Sequence, residues 1–412
     1  MDRHLNTLGL VGYLFIGTAA VLIPAVMPFI TEEYAEMGLT LAAIGLIFPA
    51  RSAGGILGNL LAGIGSDRIG RRRMVWLSAL FLAGAMAVTA LIAPWPIFLA
   101  AFVLISAAQA SLSTGINAMI ADANRGARAR ALNTLHGVYG VGAAISPLII
   151  GYIIDQGVPW RWAIGGTGII WLIYGVAAAL LYDSDRAHPT AVTTDSATDS
   201  ATDPRADAPV KTRALDMLRQ GAFLSLFLIA FIYNGVAYSL LGWIAVFMES
   251  TAGFSTFLSI AMISIFYIAL TIGRFICAGV SERVGYATTL LVLSAGITLT
   301  YPLVVLGIHS LWVTVVGVFL TGLSLSGLFP MVLAYGARLY PEQTGTVSGT
   351  LNVAMTLGAM IPPLWTGILA ETWGLQFALG VNYILVLPMI FLALYLGRVE
   401  QRTPITQPAP GD

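Results

Sequence analysis

Arg51 lies in a segment, residues 40–66, that contains no other charged side chain. Its guanidinium group stays protonated at physiological pH and donates hydrogen bonds in a planar fork that matches carboxylates and phosphates. No acidic residue lies inside any comparably apolar segment, and a buried charge without a partner is costly. Two roles are open: Arg51 faces a water-filled cavity with an anionic or hydroxyl-rich ligand, or it donates to backbone carbonyls of a helix broken near Pro49.

Two further side chains with useful chemistry lie in apolar segments. His136 belongs to segment 131–154, and histidine is the side chain whose charge changes near neutral pH. It can therefore carry a proton, or it can be a satisfied polar residue at a helix interface. Arg274 lies eight residues before Glu282 and is a candidate anion contact, with packing between helices as the alternative.

Amide and aromatic side chains are also present at membrane depth. Amides donate and accept hydrogen bonds, and aromatic rings stack on ring-shaped ligands, so together they suit polyhydroxylated solutes. Some will instead join neighbouring helices or lie at the lipid interface. The candidates for a binding cavity are Gln109, Asn117, Asn234, Tyr238 and Asn352.

The elements that must position these side chains are membrane helices. The chain has 412 residues, of which 58% are hydrophobic and 10% are charged. Soluble domains carry about 25% charged residues, so this composition predicts a polytopic protein surrounded by a lipid bilayer. The formal net charge is zero, which gives no indication of nucleic acid as a partner.

Twelve segments are long and apolar enough to span a membrane, which needs about 20 residues each. They are residues 8–30, 40–66, 74–93, 97–121, 131–154, 160–182, 219–249, 256–281, 286–308, 311–337, 345–371 and 375–396.

The charged residues separate the two sides of the membrane. With the N-terminus in the cytoplasm, every basic residue except Arg51 and Arg161 falls at or near the cytoplasmic side. This follows the positive-inside rule and predicts a multi-pass inner (plasma) membrane protein with both termini in the cytoplasm. The proposed external loops carry acidic residues instead: Glu32, Glu33, Glu36, Asp155, Glu249 and Glu371.

One polar stretch divides the twelve helices into six and six. Residues 183–218 are rich in Ser, Thr, Ala, Asp and Pro and show no apolar period, which is typical of a flexible linker. We therefore predict an N-terminal bundle over 1–182, a C-terminal bundle over 219–397 and a cytoplasmic tail over 398–412.

The two halves repeat one another. An offset of 216 residues relates Pro147 to Pro363, Gly151 to Gly367 and Asp155 to Glu371, as well as His136 to Asn352, and an offset of 215 relates Gly58, Asp67 and Gly70 to Gly273, Glu282 and Gly285. Glycines in predicted helices 2, 5, 8 and 11 indicate close packing where the halves meet. Parallel repeats of this kind are typical of transporters, with the substrate site between the halves.

The loop after the second predicted helix reads Gly63-Ile64-Gly65-Ser66-Asp67-Arg68-Ile69-Gly70-Arg71-Arg72-Arg73. It resembles the loop signature of the major facilitator superfamily, with Gly65 where leucine is common. A weaker copy, Gly279-Val280-Ser281-Glu282-Arg283-Val284-Gly285, follows predicted helix 8. The resemblance covers essentially the whole chain. It implies an all-α membrane protein whose twelve transmembrane helices form two pseudo-symmetric six-helix bundles.

The same resemblance implies secondary active transport by alternating access, with a small-molecule substrate bound between the bundles. It also implies that Asp67, Arg71 and Asp122 form a latch with the N-terminus of the eleventh helix, around Thr344–Thr346, in the outward-open state. Ordinary positive-inside charge is the alternative for the arginine.

Stretches around Gln109, Asn117, His136 and Asn234 are similar to the fucose/glucose-type sugar–cation symporter branch. That branch implies a sugar or related small polar metabolite as substrate and a coupling proton or cation, for which His136 is a candidate. The acidic residue that proton-coupled members carry within helix 1 or 4 is missing here, because helix 4 has only Asp122 at its end.

Other transport functions remain open. Carboxylate-transporting members of the superfamily carry an arginine at the spacing of Arg274, so an organic anion held by Arg51 and Arg274 is the first alternative. Drug or metabolite efflux is another, and a non-transporting membrane sensor on the same fold is a third.

The sequence contains no phosphate-binding P-loop, no Cys/His metal motif and no Gly-x-Ser-x-Gly nucleophile motif. We therefore expect no enzymatic activity, no catalytic residue, no metal and no cofactor. We also expect the protein to be a monomer.

Overall fold

The structure is a computed structural model that describes residues 2–124, 127–183 and 214–402. Within these ranges the chain is helical and contains no β-strand. A helix satisfies its own backbone hydrogen bonds, which is the requirement for crossing lipid.

Twelve membrane helices are present in the described ranges, as the sequence predicts. The first six are α1 Asp2–Glu36, α2 Ile47–Ile69, α3 Arg71–Leu91, α4 Trp95–Ala123, α5 Arg128–Asp155 and α6 Trp160–Asp183. The second six are α7 Gly221–Ser250, α8 Thr256–Val284, α9 Tyr286–Leu306, α10 in two parts, Leu311–Leu325 and Leu328–Leu339, and then α11 and α12, which share Thr344–Arg402 and are separated at Gly374. A short helical turn, Leu41–Ile44, precedes α2.

The boundaries of the predicted linker and tail differ slightly from the structure. Residues 184–213 of the predicted linker lie outside the described residues, and its last part forms a short helix, Ala214–Leu218. Helix α12 continues to Arg402, into the predicted tail.

Glycines with positive φ separate three pairs of consecutive helices. Gly70, with φ 86°, lies between α2 and α3, and Gly285, with φ 88°, lies at the repeat-related place between α8 and α9. Gly374, with φ 78°, separates α11 from α12. A residue with a side chain is strained at such φ values, so these turns require glycine.

The repeat seen in the sequence is also present in the helix packing. Gly142 of α5 lies against the carbonyl of Leu14 in α1, and Gly358 of α11 lies against the carbonyl of Phe231 in α7. In each case a Cβ would overlap that carbonyl oxygen. The close approaches at these glycines, like that of Gly58 to Ala107, lie within a bundle, whereas the sequence places such contacts where the halves meet.

Contacts between the two bundles are made most extensively by α5 with α8, and also by α1 with α7 and by α2 with α11. Gly140 of α5 packs against Thr271 of α8, and Gly151 packs against Ile260 further along the same pair. Because these helices border both halves, they form the walls of the space between the bundles.

We call the membrane side where α1 begins and α12 ends the terminal side, and the other side the opposite side. On the opposite side a polar cluster ties α1 to α6: the Arg161 guanidinium lies 2.5 Å from the Glu33 carboxylate, and the Trp160 indole donates to the same carboxylate at 2.9 Å. This cluster gives Arg161 its acidic partner.

Candidate functional site

A central cavity of about 460 Å³ lies between the bundles. Both halves contribute to it, through α1, α2, α4 and α5 from the first and α7, α8, α10 and α11 from the second. Its polar and ionisable lining residues are Tyr13, Arg51, Ser52, Asn59, Ser113, His136, Tyr139, Tyr233, Asn234, Tyr238, Tyr267, Arg274, Asn352 and Thr356.

The cavity opens toward the terminal side. His136 and Asn352, at repeat-related positions near the start of α5 and α11, line the cavity and are solvent-exposed. The start of α11 around Thr344–Thr346 is exposed as well. The bundles are therefore apart on this side, and water reaches the lining side chains from there.

The opposite side is closed by contacts between the bundles. The Phe48 ring of α2 lies 5.7 Å from the Trp243 ring of α7. Within the second bundle the Trp243 indole donates to the Pro363 carbonyl of α11 at 2.9 Å, which holds this ring in place. The backbone N–H of Leu41 donates to the Glu371 carboxylate at the end of α11, at 2.7 Å. An apolar seal and a charged hydrogen bond thus join the halves here.

Arg51 is half-buried at the inner end of the cavity. Its guanidinium donates to the Ala20 carbonyl of α1 at 3.4 Å and lies 5.1 Å from the centre of the Tyr238 ring in the other bundle. The Ala20 carbonyl lacks its usual helical donor because Pro24, four residues later, has no N–H. The carbonyl that Arg51 contacts is therefore freed by Pro24 and belongs to α1, not to a helix broken near Pro49.

No ion pair joins Arg51 or Arg274 to an acidic residue within the part of the chain that the structure describes. Arg274 instead lies near the Tyr233 hydroxyl and near His136 of the other bundle, and all three line the cavity. Neither an aspartate nor a glutamate is present among the described residues that line the cavity. The cavity therefore holds two permanent positive charges without a protein carboxylate beside them.

The repeat offset relates the two arginines to other lining residues. The equivalent of Arg51 in the second half is Phe266, and the equivalent of Arg274 in the first half is Asn59; all four line the cavity. Arg51 and Asn59 are eight residues apart, or about 12 Å along a helix. Each half thus supplies one cation, Arg51 deep in the cavity and Arg274 nearer its mouth.

The structure brings most of the predicted cavity residues together. Arg51, His136, Asn234, Tyr238 and Asn352 line one cavity, together with Arg274. Some of their polar groups are already engaged, because the Asn234 amide donates to the Met355 carbonyl at 2.6 Å and ties α7 to α11.

Gln109 and Asn117 of α4 lie outside the lining of this cavity. The Gln109 amide donates to the Ile16 carbonyl at 3.3 Å and borders a smaller pocket next to Arg51. The Asn117 Oδ1 is buried and has no hydrogen-bond partner among the residues that the structure describes. In this conformation α2 lines the cavity with five residues, more extensively than α4, of which only Ser113 reaches it.

Several lining residues were missed by the sequence-based prediction. Tyr13 packs edge-on against His136 with ring centres 5.6 Å apart, and its hydroxyl lies 3.1 Å from that of Ser113. Tyr139 lies beside the Tyr267 hydroxyl across the two bundles. The repeat offset would have identified Asn59 and Phe266, since their equivalents in the other half are the two arginines.

Two of the three residues predicted to form a latch lie together on the terminal side. Arg71 at the start of α3 forms an ion pair with Asp122 at the end of α4, and both side chains are about half exposed. The side chain of Asp67 lies outside the described residues.

Comparison with known proteins gives a consistent family match. The model of the Major Facilitator Superfamily matches residues 9–306 and 264–411. An uncharacterised MFS-type transporter of Bacillus subtilis (strain 168), YfkL, is 24% identical over 374 residues, which cover 89% of this chain and 88% of that protein.

Solved structures show the same fold at low sequence identity. A bacterial homologue of the human lysosomal transporter Spinster, in an inward-facing and unoccupied conformation, is 15% identical with a TM-score of 0.71, over 99% of each chain. A mutant of the nucleoside transporter NupG is 12% identical with a TM-score of 0.76, over 96% of this chain and 99% of that one.

Proposed function

Because the chain belongs to the Major Facilitator Superfamily, a family of membrane transporters, we propose that it moves a small organic anion across the membrane by alternating access. The anion binds in the central cavity, between Arg51 of one bundle and Arg274 of the other. Both halves of this site come from one chain, so the monomer is the functional unit.

The observation that carries this proposal is the charge of the cavity. Arginine does not lose its proton at physiological pH, so the two guanidinium groups remain cationic. Closing the bundles around them removes water, and an uncompensated charge in such a space is strongly unfavourable. Because no described lining residue supplies a carboxylate, an anionic solute is the partner that would balance them.

The contacts between the bundles differ on the two sides of the membrane, and this difference supports alternating access. Here the cavity opens to the terminal side, which we assign to the cytoplasm because basic residues concentrate there. The state that is open to the opposite side requires Phe48 to separate from Trp243, and Leu41 to separate from Glu371. It also requires the terminal ends of the bundles to meet, where the latch of Asp67, Arg71 and Asp122 would engage the start of α11.

Histidine is the side-chain type whose unperturbed charge changes near neutral pH, and His136 is the histidine among the described residues that line the cavity. It contacts Tyr13 and lies in the same cavity as Arg274, so a proton that His136 takes up together with the anion would add to the attraction for that anion. We assign it the coupling proton if transport is proton-driven.

A second candidate is a neutral sugar or a related polyhydroxylated metabolite, with cation symport as in the fucose/glucose-type branch. Five tyrosines in the lining favour it, because their rings and hydroxyls suit such solutes. It ranks second because a neutral solute leaves the positive charges of both arginines without a negative partner. In addition, the Asn234 amide already donates to the Met355 carbonyl.

A thermal-shift screen of the purified protein tests this proposal. Carboxylates should raise the unfolding temperature, and neutral sugars and lipophilic cations should not. Arg51→Gln and Arg274→Gln should each remove the effect of carboxylates. Stabilisation by sugars that persists in both variants, without any by carboxylates, would instead support the second candidate.

A further inference from the structure

A small closed pocket lies behind Arg51, between the central cavity and the seal on the opposite side. It shares four lining residues with the cavity, namely Arg51, Tyr238, Leu241 and Tyr267. A ligand group bound to the Arg51 guanidinium would therefore be in contact with both spaces.

The rest of the pocket wall is apolar. Its main side chains are Pro24 and Met27 of α1, Ile47 and Phe48 of α2, and Phe102 of α4, and all but Pro24 of these are at most 5% exposed. A buried water needs two to four polar partners, which this wall does not offer on most of its surface. The space is thus better suited to an apolar group than to water.

We propose that this pocket, which we call the apolar subsite, receives a small apolar substituent of the transported anion while Arg51 holds the charged group. This inference rests on the proposed function, and it narrows the substrate class to anions with an apolar group next to the charge. Tyr238, whose ring lies 5.1 Å from the guanidinium, helps to fix the direction in which Arg51 presents its donors.

The size of the subsite limits the substituent. Its volume of about 20 Å³ is close to that needed for one water molecule, and therefore fits a methyl group. The wall is rigid at one point, because Gly242 lies directly against the Phe48 ring and even a Cβ there would overlap it. An aromatic ring would not enter without displacing Met27 or Phe48.

The first measurement compares four 2-hydroxy acids that differ only in the substituent on the second carbon. Glycolate has hydrogen there, lactate has methyl, 2-hydroxybutyrate has ethyl and mandelate has phenyl. Apparent affinities come from the concentration dependence of thermal stabilisation of the full-length protein. Burial of one methyl group should strengthen binding about fourfold, so lactate should exceed glycolate by that factor, and mandelate should fall below lactate.

A variant tests whether this pocket determines the order of affinities among the four acids. Met27→Ala enlarges the subsite and should reverse the preference, so that mandelate binds more tightly than lactate. Met262→Ala is the matched control, since Met262 is equally buried at 0% exposure but does not line either space. Glycolate, which has no substituent to place in the subsite, should bind Met262→Ala as it binds the parent protein, and a cooperative thermal unfolding transition in both variants shows that they are folded.

Three results would overturn the inference. Equal affinities for all four acids would refute the apolar subsite but would leave the proposed anion site unaffected. The same order in the parent and in Met27→Ala would show that another wall selects the substituent. Absence of stabilisation by every one of the four acids would refute the proposed function, and the subsite with it.

Discussion

The hydrogen bond from the Leu41 backbone to the Glu371 carboxylate should hold the opposite side closed. It joins the start of the helical turn before α2 to the end of α11, and so connects the two bundles. A hydrogen bond to a charged group contributes about 1.5–3 kcal/mol when shielded, and the exposed position of Glu371 reduces this to roughly 1 kcal/mol. Removing it should raise the population that is open on the opposite side about fivefold.

Cysteine labelling measures that population. Cys277 is the one cysteine of the chain, so Cys277→Ala gives a thiol-free background. Ile47→Cys then places a thiol at a position that is 1% exposed while the opposite side is closed. With a membrane-impermeant maleimide added from the opposite side, Glu371→Ala should raise the labelling rate about fivefold, and Glu371→Gln, which keeps an acceptor, should raise it less.

Asp155 provides a matched control, because it is the repeat-related carboxylate at the end of α5. Its side chain is exposed and forms no hydrogen bond within the described part of the chain. Asp155→Ala should therefore leave the labelling rate unchanged. Unchanged labelling in Glu371→Ala, or an equal increase in Asp155→Ala, would show that the bond to Leu41 does not control the opening.

Three other perturbations have expected outcomes. Glu33→Ala leaves a guanidinium and an indole without their shared acceptor and should lower stability by about 1–3 kcal/mol in thermal unfolding, whereas the exposed Glu32→Ala should not. Asp122→Asn breaks a half-exposed ion pair and should change stability by less than about 1 kcal/mol, yet slow transport at equal surface expression; unchanged flux would rule out the latch. Gly142→Ala would overlap a carbonyl of α1 and should lower the unfolding temperature, while Gly84→Ala, with open space at its Cβ, should not.

The fold could be predicted because membrane insertion requires particular residue types at particular positions along the sequence. Every spanning helix needs a long apolar segment, and every turn such as those at Gly70 and Gly285 needs a residue that tolerates positive φ. The internal offsets then indicated two equivalent halves before any contact was known. The packing partners of the glycines were harder to predict, because a glycine at 142 or 358 allows a close approach without indicating which helix approaches.

The charged residues of the site could be predicted from the sequence, but the residues that they contact could not. A lone arginine in an apolar helix must find a special environment, and Arg51 does so beside a carbonyl that Pro24 leaves free. That pairing depends on the packing of α1 against α2, which no local pattern encodes. Gln109 and Asn117 illustrate the same limit, since helical periodicity does not say which polar face of α4 is covered by another helix.

Transport in proteoliposomes tests the central claim most directly. The protein is reconstituted, and uptake of the labelled 2-hydroxy acid with the highest affinity is compared with uptake of a labelled neutral sugar. We expect saturable uptake of the acid and none of the sugar. Loss of one charge-assisted contact, about 1.5–3 kcal/mol, should reduce acid uptake at least tenfold in Arg51→Gln and in Arg274→Gln. Acid uptake that persists in both variants, or sugar uptake that exceeds it in the parent protein, would contradict the anion site.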